Sequence, residues 1–306
     1  MERFELLSKT FNEEVLLKGS KFVPETIKAI VVVCHGMAEH CARYYEFAQY
    51  LENNGFITYL YDQRGHGETC GDENNQGYMS DVDNFEAMVD DLDLVLNMAK
   101  NENPNKKVFL LGHSMGSFIA QRFIEKYPDD ANGVILSGTN YTKGLLFKAG
   151  YMIAKRIVKK NGRQFKSDTL ENLSFGSYNK AFKPNRTPFD WLSVNEDNVD
   201  RYIADPFCGA KFSCSYYMDL LKAFNTISKN YQLIKKDLPL YLFSGEDDPV
   251  GNKGKGVKKL FNTYKKLGLN DVDIKLYTGY RHEMLNELNK LEVFKDVLNW
   301  LIIHNN

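Results

Sequence analysis

The sequence predicts an α/β protein: a mostly parallel sheet flanked by helices, interrupted by an inserted helical segment. Three observations predict it. Short β-rich runs alternate with helical stretches through the first half of the chain. The same rhythm returns after residue 238, and over 139–236 it is absent.

Phe4–Lys9 and Glu14–Phe22 read as an opening hairpin. Ala29–Cys34 is a near-continuous apolar run, which suits a strand buried on both faces. Ala42–Asn53 has helical spacing and stops at Gly55. Phe56–Tyr61 is the next strand, Phe85–Lys100 a helix with Pro104 beyond it, and Lys107–Gly112 a strand. Ser114–Tyr127 reads as a helix ended by Pro128, and Gly133–Ser137 as a strand. Residues 139–236 are rich in aromatic and basic side chains and punctuated by Pro184, Pro188 and Pro206. Then follow a strand at Leu238–Ser244, a helix at Lys253–Leu267, a strand at Asp273–Thr278 and a helix at Leu291–Ile303. The expected organisation is a core of residues 1–138 and 237–306 with 139–236 inserted as a cap. An insertion there sits over the carboxyl ends of the strands, where ligands bind.

The net charge of −1 gives no global attraction to nucleic acid or anionic surfaces, so nucleic acid is not an expected partner. No apolar run is long enough for a membrane span, and the first residues, MERFELLSKT, lack the apolar run of an export signal. The five cysteines are odd in number and contain no CxxC, which argues against a disulfide framework or a zinc site. Reduced thiols in a cytoplasm are expected.

Gly112-His-Ser-Met-Gly116 fits G-x-S-x-G, with an apolar strand ending at Leu111 and a helix beginning at about Met115. Strand, sharp turn and helix is the setting of a nucleophile elbow, which leaves Ser114 exposed at the strand end. A serine hydroxyl needs a neighbouring base. In proteins with this elbow the chain order is Ser, acid, His, and only His282 and His304 follow Ser114. His304 lies in a terminal His-Asn-Asn, where a precise geometry is hard to hold. His282 follows the last strand, so it is the expected base. The acid should follow Leu238–Ser244, where Glu246, Asp247 and Asp248 all qualify by position. The oxyanion of an acyl-transfer intermediate needs backbone N–H donors. They are expected from Met115, after the nucleophile, and Met37, in the loop after Ala29–Cys34. An ion pair between Arg64 and Glu39 is expected to fix the neighbouring loops. His40 reads as a hydrogen-bonded structural histidine. His66 has no partner at ligand spacing, so no metal is expected there.

His35-Gly-Met-Ala-Glu-His40 with Arg43-Tyr44, Asp62-Gln-Arg-Gly-His-Gly67 and Gly112-His-Ser-Met-Gly116 together resemble the monoacylglycerol lipase and lysophospholipase group of α/β-hydrolases. The resemblance covers roughly residues 25–138 and 238–303. It implies an α/β-hydrolase fold with a cap and no cofactor. Its G-x-x-D acid motif places the acid at Asp248, and its closing histidine matches His282.

Gly144–Lys160 reads as a basic amphipathic helix, with Lys148, Lys155 and Lys159 on one face. Leu146, Phe147, Tyr151, Ala154, Ile157 and Val158 lie on the other. It allows two roles beyond plain packing: a lid over an acyl pocket, and transient contact with a membrane surface. Arg156, Lys160 and Arg163 offer charge for a phosphate head group. Phe175, Tyr178, Phe182, Phe189 and Trp191 read as core aromatics rather than substrate platforms. The expected function is a serine-dependent carboxylic-ester hydrolase acting on single-chain acyl esters, of lysophospholipid or monoacylglycerol type. The alternatives are a small-ester carboxylesterase or thioesterase using the same triad, and a non-catalytic binding protein on the same fold.

Overall fold

A computed structural model describes all 306 residues. One sheet of eight strands organises the chain. In chain order these are β1 (Glu2–Thr10), β2 (Glu13–Phe22), β3 (Ala29–Cys34), β4 (Phe56–Tyr61), β5 (Val108–His113), β6 (Gly133–Ser137), β7 (Leu240–Gly245) and β8 (Val272–Tyr277). Their order across the sheet is β1-β2-β4-β3-β5-β6-β7-β8. β1 pairs antiparallel with β2 and β2 antiparallel with β4, and every other pairing is parallel.

The apolar runs become central strands because both sheet faces are covered. On one face Ile30, Val32, Leu110, Val134 and Leu242 join a core with the helices α2 (Asn84–Glu102) and α3 (Met115–Lys126). On the other face Val31, Val33, Leu111, Ile135 and Phe243 meet Phe47 and Leu51 of α1 (Tyr45–Glu52) and the C-terminal helix. Alternate residues of one strand thus feed two cores, and no position is left for a polar stripe. The expected Ala42–Asn53 helix divides into a 3₁₀ turn, Cys41–Tyr44, followed by α1.

Between β6 and β7 lie α4 (Leu145–Asn161), α5 (Asp168–Phe175), α6 (Glu196–Ala204) and α7 (Cys214–Asn230), and this segment adds no strand to the sheet. The chain closes with α8 (Lys255–Lys266) and α9 (Lys290–Asn305). In α4, Phe147 packs edge-on against Phe224 of α7 with ring centroids 5.0 Å apart, and Ala154 is fully buried. Leu146, expected on the packed face, is 81% exposed, and Leu145 beside it is 83% exposed. Arg163 is not free for a phosphate, because it pairs with the buried Asp219 at 3.0 Å.

β3 has β4 on one side and β5 on the other, so the strand order reverses there. Ligands of open α/β sheets bind at the carboxyl ends beside such a reversal. The loop after β3 and the turn after β5 flank that crevice.

Candidate active site

Ser114 lies between β5 and α3 with φ 51° and ψ −117°, outside the helix the sequence reading gave it. A non-glycine residue in this region costs on the order of 1–3 kcal/mol, so the surroundings must impose it. They do so through close packing. A Cβ on Gly116 would stand 2.0 Å from the Cys34 carbonyl oxygen, and one on Gly112 would stand 2.3 Å from that of Gly116. Glycine at both positions lets the first turn of α3 press against the ends of β3 and β5, which forces the sharp turn.

His282 follows β8, and its Nδ1 lies 3.0 Å from Oδ2 of Asp248. Both residues are buried. Asp248 Oδ2 also accepts from Ser244 Oγ at 3.0 Å, and Oδ1 accepts from the Val250 N–H at 2.8 Å. Of the three carboxylates that sequence position left open, Asp248 is turned inward to the imidazole. Glu246 is exposed, and Asp247, half-exposed, faces Lys253. Burial disfavours the imidazolium, but the Asp248 charge and hydrogen bond, helped by Glu283 and Glu39, outweigh it and raise the His282 pKa above 6.5. His113, tilted against His282 with ring centroids 4.7 Å apart, is held neutral by burial and by the His282 charge, its pKa lowered to about 3.

Ser114 and His282 line one cavity of about 250 Å³ with Met37. Ser114 Oγ is not hydrogen-bonded to His282; such bonds often tighten only when substrate is bound. Met115 directly follows Ser114 and opens α3. The backbone N–H groups of Met37 and Met115 have no acceptor within the chain, whereas the neighbouring Gly36 N–H donates to Glu39. His304 is ordered rather than frayed: it sits in α9, its Nδ1 donates to the Trp300 carbonyl at 2.7 Å and its Nε2 lies 3.2 Å from Asp271 Oδ2, and it lies at the opposite end of the sheet from Ser114.

Arg64 does not pair with Glu39. It grips both oxygens of the buried Asp91 and so ties the loop after β4 to α2. Glu39 pairs instead with Arg43, at 3.2 Å, and accepts from Tyr44 Oη at 2.7 Å. Arg43 also pairs with Glu283, which accepts from Asn198 of α6 at 2.6 Å. This buried network joins the loop after β3, the His282 loop and the segment between β6 and β7. Arg43-Tyr44 stood in the motif that carried the resemblance, but nothing in the sequence marked Glu283 or Asn198. The loop after β4 braces the same region: the Gln63 N–H donates to His35 Nε2 at 3.0 Å, so His35 Nδ1 carries the proton that reaches the Gly36 carbonyl at 2.7 Å.

The segment between β6 and β7 walls the cavity. Phe175, Phe189 and Trp191, read from sequence as core aromatics, all line it, and the Trp191 ring lies 5.1 Å from that of His282. The Leu192 carbonyl accepts the backbone N–H groups of both His282 and Glu283, at 3.0 and 2.8 Å. α4 lines no part of the cavity.

A buried carboxylate–imidazole pair sharing a cavity with a serine on a strained strand-to-helix turn is the arrangement of an α/β-hydrolase. Residues 25–289 match the family described as serine aminopeptidase, S33, and the chain belongs to that hydrolase family. It is 27% identical over 283 residues to the monoacylglycerol lipase of Mycolicibacterium smegmatis, covering 90% of this chain and 89% of that one. It is 28% identical over 279 residues to the monoglyceride lipase of Rattus norvegicus, covering 90% and 83%. The solved structure of a thermostable carboxyl esterase from Bacillus coagulans superposes with a TM-score of 0.92 over the whole of both chains at 25% identity.

Proposed function

We propose that this chain is a serine-dependent carboxylic-ester hydrolase acting on single-chain acyl esters, of monoacylglycerol or lysophospholipid type. Ser114 attacks the ester carbonyl while His282 accepts its proton. Asp248 fixes the imidazole tautomer and stabilises the imidazolium. The N–H groups of Met37 and Met115 hold the oxyanion. His282 then protonates the leaving alcohol, and water, activated by the same imidazole, releases the acyl group from Ser114. The observation that carries the reading is the buried Asp248–His282 pair opening onto the Ser114 cavity.

Residues 1–138 and 237–306 form the core in this account, and 139–236 the cap. The aromatic cap wall of the cavity suits an acyl chain. An aminopeptidase would need a free carboxylate for the substrate's ammonium group. Glu39 and Glu283 are taken up by Arg43, and Glu171 accepts from Tyr217 Oη at 2.6 Å. This favours esters, as do the names of the relatives. The cap also meets membrane surfaces transiently: Leu145, Leu146, Met152 and Ile153 of α4 are exposed beside Lys148, Lys155 and Arg156. No helix is long and apolar enough to cross a membrane. The five free cysteines fit a reducing, cytoplasmic setting.

The test is a series of p-nitrophenyl esters from acetate to decanoate, kept below micelle-forming concentrations. Each buried methylene contributes about 0.8 kcal/mol, so a few raise kcat/KM by roughly a hundredfold if the gain is realised in the transition state. A kcat/KM that peaks at acetate and falls steadily with chain length points instead to a small-ester hydrolase.

A further inference from the structure

Away from the serine and histidine, the segment after α6 meets the loop after β3. The Tyr202 hydroxyl donates to the Ala38 carbonyl at 3.0 Å, and the Gly209 N–H donates to the same oxygen at 2.9 Å. At this seam three side chains of metal-ligating type converge. His40 Nε2 lies 2.8 Å from Asp205 Oδ2, and Cys208 Sγ completes a set whose ligand atoms are all within 4.8 Å of one another. A tight turn presents the last two together: the Cys208 N–H donates to the Asp205 carbonyl at 3.0 Å, and the Phe207 N–H donates to Asp205 Oδ1 at 2.9 Å.

We propose that His40, Asp205 and Cys208 form a binding site for a divalent, borderline-soft cation, Zn²⁺ in the first instance. One imidazole nitrogen, one carboxylate oxygen and one thiolate sulfur are ligands Zn²⁺ takes at about 2.0–2.3 Å, in a tetrahedral set whose fourth place a water fills. The mixed N/O/S set disfavours Mg²⁺ and Ca²⁺, which take oxygen. All three side chains are partly exposed, so an ion reaches them from solvent. Binding replaces the 2.8 Å hydrogen bond between His40 and Asp205 with two metal–ligand bonds.

Binding displaces the Cys208 thiol proton to solvent. Burial pushes that thiol's pKa up, and the nearby Arg43 guanidinium opposes the rise. The Arg43 charge is itself met by Glu39 and Glu283, so it does not stand unopposed against a cation. His40 stands 165 residues from Asp205, which is why no sequence spacing shows the whole site. The bound ion would tie the edge of the cavity wall, where Tyr202, Gly209 and Ala210 stand, to the loop carrying Met37. The site does not depend on the catalytic reading.

Titration of the full-length, metal-free protein with Co²⁺ tests this. The expected result is a thiolate-to-cobalt charge-transfer band saturating at one equivalent and bleached by Zn²⁺. Cys208→Ser should abolish the band, and Asp205→Asn should weaken binding while leaving a hydrogen-bonding partner for His40. Cys70→Ser, at the other partly exposed cysteine outside the seam, and His304→Ala, at the rival Asp271–Asp273–His304 group, should leave the band intact. Zn²⁺ should raise Tm in the parent but not in Cys208→Ser, since a ligand of the folded state stabilises it. Equal metal-free Tm values would show that Cys208→Ser still folds. No band in the parent, a band surviving Cys208→Ser, or a band lost in Cys70→Ser or His304→Ala would overturn the proposal.

Discussion

His282 carries the proton traffic of the proposed reaction, and its surroundings set the pH at which it can do so. A raised pKa keeps the imidazole protonated to higher pH, and only the neutral ring accepts the serine proton. The acid limb of kcat/KM should therefore have its midpoint above 6.5. Asp248→Asn removes the largest charge that sustains the imidazolium against burial. The limb should then move to lower pH while kcat falls by about 10⁴. Profiles of kcat/KM against pH for the two proteins check both statements. A limb unmoved by the substitution would separate Asp248 from His282.

The elbow depends on how closely elements approach rather than on any one contact. In Gly116→Ala the new Cβ meets the Cys34 and His35 carbonyl oxygens, backbone atoms that cannot turn aside. Overpacking of this kind costs typically about 1–3 kcal/mol, so the denaturant midpoint should fall, and kcat with it as the turn and the loop after β3 separate. An unchanged midpoint with full activity would show that the elbow tolerates a wider gap. Strands β3 to β6 were legible from sequence within a residue or so, because burial on both faces leaves a continuous apolar run. The positions of Ser114 at the end of β5 and of His282 after β8 were legible because a turn and a strand end fix them locally. The choice among Glu246, Asp247 and Asp248 was not, because it depends on which side chain the backbone turns inward. Neither was the pairing of Glu39 with Arg43 rather than Arg64, since charge sequence carries no information about which loops meet. The cavity aromatics failed for the same reason: a Trp or Phe packed in a core and one lining a pocket look alike in sequence, and only the fold of 139–236 over Ser114 separates them.

At the scale of the whole molecule, the proposed substrate must pass from a lipid aggregate into a cavity walled by the segment between β6 and β7. α4 packs one face on α7 and leaves Leu145 and Leu146 outward with lysines on either side. The double variant Leu145→Ser/Leu146→Ser should reduce partitioning onto vesicles containing anionic lipid by about tenfold or more, given ~0.8 kcal/mol per methylene withdrawn from the bilayer interface. Co-sedimentation measures it, and hydrolysis of a soluble ester should be unaffected because α4 does not line the cavity. Equal partitioning of variant and parent would remove α4 from the account. The central claim, that Ser114 is the nucleophile served by His282, is tested most directly by labelling with a fluorophosphonate and locating the adduct by peptide mass. The account predicts a single adduct on Ser114, absent in Ser114→Ala with kcat reduced about a thousandfold or more, and nearly lost in His282→Ala but not in His304→Ala. An adduct on another serine, or labelling and turnover that persist in Ser114→Ala, would contradict it.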